Sequence, residues 1–436
     1  MMTTDTILRV SREEVQSWSA NTGEPSWLTE QRIAALELTG TLDWPRLEKM
    51  NLERWNLESF GEHRPVQRAE HAEDLPKAVQ EYIQSLNQES LLVQRNSRVV
   101  YSRLSEELTK KGVIFTELQT ALQQHADLVK PYLFSLFDKA ENKVTALHAA
   151  LWSGGVFLYV PKNVVIEQPL QVVFLTDEDD AAFSPHILIV AEPNSRVTYV
   201  DNVICTGRVK PLVHNGMAEV IVKSGARVQF ASVHSLKKET TDLTLRRARV
   251  EQDGRIEWML GELNDGDSMS DTLSILEGNG SVSETKLICV CTEDQKVNVS
   301  TRVRHDGRST VSDMLTRAVM RDEATGIFNG ITKIEKGATG ANGQQTERVL
   351  MLSPKARGDA NPMLLIDEDD VQAGHAASVG QVNKEQIYYL MSRGISRQEA
   401  INLIVYGFLN PILSEIPIES VGKQLAKTVE RKLGRS

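Results

Sequence analysis

A chain of 436 residues is long enough for two or three domains, or for one elongated domain with flanking modules. Charged residues make up 25% and apolar ones 41%, a globular balance that excludes wholesale disorder. The net charge of −10 argues against a nucleic-acid surface, which needs a basic face to release phosphate counterions, and no window approaches the roughly 18 apolar residues of a membrane span.

The first residues, MMTTDTILRVSREEV, lack a basic start followed by a long apolar core, so no signal peptide is expected. Residues 1–150 read as a mostly helical domain with an α/β lead-in. Ser11 and Glu14 have capping-box spacing, and PSWLTEQRIAALEL from Pro25 has helical periodicity. Trp18, Trp27, Trp44 and Trp55 crowd this part and read as packing rather than a ligand cage. After the strand-like runs LLVQR and RVVYSRL, Thr116 and Gln119 repeat the capping spacing, and ENKVTALHAALW is stopped by Gly154 and Gly155.

Residues 151–378 read as β. Runs such as VFLYV, LQVVFL, HILIVA, AEVIVK, RVQFASV and KVNVSTRV are strand-like, and several alternate apolar with polar side chains. Turn signals recur at Asn194-Ser195, Gly225, Asp253-Gly254, Gly280, Asp306-Gly307 and Gly337, about 25 to 31 residues apart, which is the range of repeat architectures. Propeller blade motifs are missing, so stacked coils of a parallel β-helix fit best. Such a stack leaves a strand edge at each end. The N-terminal helices are expected to cover one, and strands around Val349 to Ile366 to offer the other to a partner.

Residues 379–436 read as a helical domain. Asn383 with Gln386, and Ser396 with Glu399, open two helices. The second is apolar over Ala400, Ile401, Leu403, Ile404, Val405, Phe408 and Leu409, so more than one side must be covered, by the chain itself, by a partner, or by both. The last helix carries Val421, Leu425, Val429 and Leu433 as a narrow stripe. Its basic residues Lys423, Lys427, Arg431, Lys432 and Arg435 read as dipole-complementing and solvated.

Little of the sequence suggests catalysis. Gly337, Gly340 and Gly343 lack the Gly-Lys-Ser/Thr ending of a phosphate loop and read as a β-corner. Cys289 and Cys291 lie on one strand face and cannot complete a zinc site or an ordinary cluster. The three cysteines, with Cys205, suit a reducing cytoplasm and core packing. Asp177–Asp180 and Asp367–Asp370 both spell DEDD. They read as solvated corners, with a calcium-assisted β-helical carbohydrate lyase or esterase as the alternative.

The stretch Ala360 to Gln381, ANPMLLIDEDDVQAGHAASVGQ, carries a histidine, His375, in a loop of small residues. Together with EPSW at Glu24 to Trp27, GGVFLYVPKNVVIEQPL at Gly154 to Leu170 and YYLMSRGIS at Tyr388 to Ser396, it resembles the SufB/SufD family. Asn361 stands where SufB-like members carry a cysteine, and Ala376 where they carry a glutamate, so the resemblance is to the SufD branch. It implies a mainly β fold, a right-handed parallel β-helix between helical terminal domains, and a cytoplasmic, non-enzymatic scaffold for iron-sulfur cluster assembly and iron delivery.

It also implies partners and sites. SufB would pair at the β-helix end, near Asn361, Met363, Leu365 and His375. The SufC ATPase would bind the C-terminal helices, at Ile401, Ile404, Val405, Phe408 and Leu409. His375 would be a candidate ligand for a transient cluster at the SufB interface, with no cofactor held stably by this chain alone. The alternative reading of His375 is a hydrogen-bonded corner residue. SufC dimerisation on ATP would pull the helices and shift the interface. A homodimer of the isolated chain remains open.

Overall fold

The computed structural model describes residues 10–52, 55–63, 67–83, 89–207, 210–414 and 419–434. Seven helices and three short strands lead in: α1 (Arg12–Asn21), α2 (Ser26–Thr39), α3 (Lys77–Ile83), β1 (Leu91–Arg95), β2 (Arg98–Arg103), α4 (Glu106–Lys110), β3 (Ile114–Glu117), α5 (Leu118–Gln124), α6 (Ala126–Val129) and α7 (Lys143–Leu151). Ser11 and Glu14 form the expected reciprocal cap on α1. Thr116 and Gln119 do not cap a helix, because Thr116 pairs with Phe157 in a sheet and α5 begins only at Leu118.

The core is a parallel β-solenoid of about eight turns, built from two sheets. Even-numbered strands form one wall: β4 (Val156–Val160), β6 (His186–Ala191), β8 (Leu212–Val222), β10 (Thr240–Val250), β12 (Ser268–Leu276), β14 (Lys296–His305), β16 (Thr325–Ile334) and β18 (Arg357–Ile366). Odd-numbered strands form the other: β5 (Leu170–Thr176), β7 (Arg196–Cys205), β9 (Arg227–Ser235), β11 (Arg255–Glu262), β13 (Val282–Cys291), β15 (Val311–Met320), β17 (Ala341–Met351) and β19 (Val371–Gln381). The register advances between 26 residues, Asp242 to Ser268, and 32 residues, Thr325 to Arg357.

One corner repeats because its backbone must turn left-handed in every coil. Asn194, Gly225, Asp253, Gly280, Ser309 and Gly340 all have φ between 53° and 72°. Each donates its N–H to a carbonyl of the next coil, as Asn194 does to Ser224 at 3.0 Å and Gly340 to Asp370 at 2.7 Å. Asn, Asp and Gly tolerate that conformation best, which is why the turn signals were periodic. In the last two coils the stacked residues are Ser309 and Gly340, not Gly307 and Gly337.

The N-terminal helices cover a face of the solenoid rather than its end. Ala35 of α2 and Leu147 and Leu151 of α7 pack on Val213, Met217, Leu243 and Leu245 outside the even wall. The lead-in strands extend the walls at that end, β1 pairing parallel with β5 and β3 antiparallel with β4. Arg32 fastens this layer: its guanidinium is buried between the rings of Trp18 and Trp152, 4.0 and 4.3 Å from their centroids, and bonds Glu24 at 2.8 and 2.9 Å. The Trp18 ring also stacks on His63, whose pKa burial, then Arg32 and Arg98, pull down to about 3. The crowded indoles are packing, as their areas suggest.

Three helices follow: α8 (Lys384–Ser392), α9 (Arg397–Leu413) and α10 (Glu419–Lys432). The expected caps are present, Asn383 accepting from Glu385 and Gln386 and Ser396 forming a reciprocal cap with Glu399. Helices α9 and α10 pack on the outer face of the odd wall, where Val405, Leu409, Leu425, Val429 and Leu433 meet Val233, Ile288 and Val319. The Val421 and Lys423 side chains and Arg435 lie outside the described residues. The basic C-terminus is not simply solvated. Lys432 is buried and donates to the Asn264 carbonyl, and Arg431 bonds Asp265 at 2.8 and 3.1 Å, anchoring α10 to a solenoid corner.

Candidate functional site

The last coil is built from β18 and β19. Each pairs on one side only, β18 with β16 and β19 with β17, and among the described residues no strand covers the other side. The edge is therefore β18 and β19. Strand β17, with Val349, is covered by β19 and does not form part of it. Apolar side chains sit exposed there: Leu365 at 49%, Ile366 at 41% and Val379 at 44%. Unpaired backbone beside exposed apolar groups is a template for strand addition.

His375 lies within β19, not in a loop, in register with Gln345 of β17. In β17 the buried positions are Ala341, Gly343, Gln345, Glu347 and Val349, which face the lumen, and in-register partners in a parallel pair share a face. The His375 ring thus belongs to the lumen mouth, and it is exposed because no coil follows. Among the described residues its ring has no hydrogen-bond partner, so it is not tied into a corner.

Beneath it the lumen is polar. Glu347 is 2% exposed, and neither of its carboxylate oxygens has a hydrogen-bond partner among the described residues. Burial pushes its pKa up to about 7. Gln345 donates to the Met363 carbonyl at 3.3 Å, leaving its own oxygen unpartnered. Gly330 on the facing wall makes the room: a Cβ there would fall 2.0 Å from Glu347 Oε1 and 2.7 Å from Gln345 Oε1.

The other expected partner-facing residues lie elsewhere on the same coil. Asn361 points to the outside of the even wall, donating to Asn329 at 3.0 Å, which in turn donates to Ser300 at 3.2 Å. Met363 and Leu365, two and four residues on, share that outer face. The coil brings these residues to one end, but His375 is in the lumen and the others are on the outer wall.

Deeper in the lumen, His214, His234 and Asp242 stand as a ligand-like cluster. Its carboxylate is already saturated. Asp242 Oδ1 accepts from His214 at 2.7 Å and Thr244 at 2.6 Å, and Oδ2 from His234 at 2.7 Å and Asn264 at 2.7 Å. Burial opposes its charge, yet His234 and His214 hold it well below the usual carboxylate range. Arg246 donates to His234 Nε2 at 2.9 Å, so the ring's remaining proton sits on Nδ1 and faces Asp242. The cluster ties β8, β9 and β10 to the corner at Asn264, while His214 Nε2 is buried with no partner among the described residues. Nearby, Cys289 and Cys291 are buried on the inward face of β13 with sulfurs 3.4 Å apart, as core packing requires.

Of the α9 residues, Val405 and Leu409 are fully buried against the odd wall, while Ile401 and Phe408 pack at its margin. Ile404 lines an open groove with Tyr389 and Leu390 of α8. The exposed apolar groups of this region are Tyr388 at 75%, Tyr389 at 56%, Met391 at 45% and Leu403 at 48%. The acidic corners are ion-paired, Asp180 with Lys210 at 2.6 Å, Asp177 with Arg95 at 2.9 Å and Glu368 with Lys336 at 3.6 Å. Neither presents an uncompensated acidic groove.

Residues 174–408 match the family described as SUF system FeS cluster assembly, SufBD core domain, and residues 24–172 match the SufBD protein N-terminal region. The chain belongs to the SufBD family. It is 46% identical over 99% of its length to the iron-sulfur cluster assembly protein SufD of Bacillus subtilis strain 168, covering 100% of that protein. It is 29% identical over 91% of its length to an iron-sulfur cluster assembly SufBD family protein of Staphylococcus aureus strain USA300, covering 87% of it. A role in iron-sulfur cluster assembly follows from this membership, and among the described residues no helix is long and apolar enough to cross a membrane.

For this SufBD chain the sequence reading missed Gln345 and Glu347, and the exposed set Tyr388, Tyr389 and Met391. The first two could have been found from NGQQTERVL, where Gly343, Gln345, Glu347 and Val349 alternate onto one face. Polar residues at the inward positions of a solenoid strand are the signal.

Proposed function

We propose that this chain is a non-enzymatic scaffold subunit of the Suf machinery, pairing with SufB through β18 and β19 and binding the SufC ATPase through its C-terminal helices, in support of cluster assembly and iron delivery. The observation that carries the reading is the terminal coil, whose strand edges and apolar groups Leu365, Ile366 and Val379 are uncovered. In this reading His375, at the lumen mouth, supplies an imidazole to a cluster forming transiently across the joint. Imidazole ligation of cluster iron has precedent in Rieske centres.

The helices would transmit nucleotide-driven motion. Only Val382 and Asn383 separate the end of β19 from α8, so a pull on α8 and α9 acts directly on the strand that carries His375. Leu403, Tyr388, Tyr389 and Met391, with Ile404 in the adjoining groove, offer the apolar contacts for SufC. Val405 and Leu409 would act indirectly, by holding α9 on the solenoid.

Co-expression with SufB and SufC tests the reading. A stable complex containing all three is expected. A lone chain indifferent to both would contradict it.

A further inference from the structure

One coil below the open end, the lumen holds three buried acceptors and no donor for them. Both carboxylate oxygens of Glu347 and the amide oxygen of Gln345 lack a hydrogen-bond partner among the described residues. The two side chains share one space, because a Cβ on Gly330 would fall 2.0 Å from Glu347 Oε1 and 2.7 Å from Gln345 Oε1. The Gln345 nitrogen is engaged by the Met363 carbonyl, so only its oxygen is left for that space. A buried carboxylate needs a compensating charge or several donors, and a proton on one oxygen leaves the other acceptors unsatisfied. The last coil supplies neither at the positions directly above. Gly330 is in register with Pro362, which has no N–H, and Glu347 with Ala377, which offers a methyl group.

We propose that the partner chain that adds strands to β18 and β19 inserts a lysine side chain into the lumen mouth, where Glu347 and Gln345 hold its ammonium group. This inference rests on the scaffold reading for the presence of a partner, and adds the chemistry by which that partner is recognised. An ammonium group brings one positive charge and three donors, which matches one carboxylate and three acceptors. A guanidinium fork suits the two coplanar oxygens of a single carboxylate better than acceptors converging from two side chains. A strand added to β19 lies two strand spacings from β17, about 9.6 Å, a gap that the four-carbon lysine stem and the glutamate stem close together. The way down is clear because Ala377, the residue of β19 directly over Glu347, is small and exposed. A chain that covers the end without such a cation leaves the carboxylate buried and unpaired, so the site also selects against wrong partners.

The test is the dissociation constant of the full-length chain with SufB, measured by sedimentation for the wild type and two variants. Glu347→Gln keeps the shape and removes the charge one coil inside the edge. Alone, it should melt at or above the wild-type temperature, because an uncompensated buried charge is gone. With SufB, its dissociation constant should rise about 30-fold or more. Ala377→Leu, at an exposed position, closes the way to Glu347 and should weaken association in the wild-type background but add little to Glu347→Gln. A chelator should leave the wild-type complex intact. Equal affinity of wild type and Glu347→Gln, or additive effects of the two substitutions, overturns the lysine site and leaves the scaffold reading standing. Association that is lost on chelation and restored by a divalent cation gives the space to an ion and also overturns it. No association of the wild type with SufB removes both.

Discussion

Glu24 holds the Arg32 guanidinium in a bidentate pair that is almost wholly shut off from solvent. Arg32 also donates to the carbonyls of Ala150 and Trp152 at 3.1 Å, so one side chain joins α1, α2 and the segment that enters the first coil. Removing one member strands the other charge in the interior. Glu24→Gln or Arg32→Met should therefore destabilise the fold by about 3–5 kcal/mol in urea titrations. A loss under 1 kcal/mol would mean the clamp is not structural.

Acid sensitivity should come in part from His305. Its ring nitrogens contact Thr310 Oγ1 at 2.7 Å and Ser312 Oγ at 2.9 Å, and burial lowers its pKa to about 4 against the opposing effect of Asp306. The unfolded chain takes up the proton near the ordinary value of about 6.5, so the native state loses relative stability as pH falls from there toward 4. Wild-type stability should fall faster across that window than that of His305→Gln. Parallel curves would refute the assignment.

The C-terminal helices should separate into two classes of variant. Leu409→Ala empties a buried site between α9 and the odd wall, and should lower stability by about 2–5 kcal/mol. Leu403→Asp and Tyr388→Asp alter exposed positions and should leave stability within about 0.5 kcal/mol. The exposed pair should nonetheless reduce SufC capture in pull-down assays, and full capture would remove these residues from the docking face.

A charge at the solenoid end should act on assembly alone. Val379 is exposed on the edge strand β19, and lysine at such edges discourages strand addition. Val379→Lys should leave the melting temperature unchanged while reducing SufB association measured by light scattering. Unaltered association would place the joint elsewhere.

Much of the fold was legible because its causes are local. The stacked left-handed corner selects Asn, Asp and Gly at Asn194, Gly225, Asp253 and Gly280, and the caps at Ser11, Asn383 and Ser396 need only neighbouring residues. Strand β10 was harder to read, since Asp242, Thr244 and Arg246 face inward while Leu243 and Leu245 face the N-terminal helices. That inverts the usual apolar-in pattern. His375 looked like a loop residue because VQAGHAASVGQ has little strand propensity of its own; its extended form comes from pairing with β17. The Glu347 site was invisible for the same reason: which face is inward depends on a register that no single strand reveals.

The most direct measurement is hydrogen exchange of the β18 and β19 backbone amides, in the chain alone and mixed with SufB. If the open edges are the joint, amides in residues 357–366 and 371–381 should become protected on mixing, because strand addition gives the unpaired N–H groups carbonyl partners. Unchanged exchange at both edges, in a complex that nevertheless forms, would contradict the account.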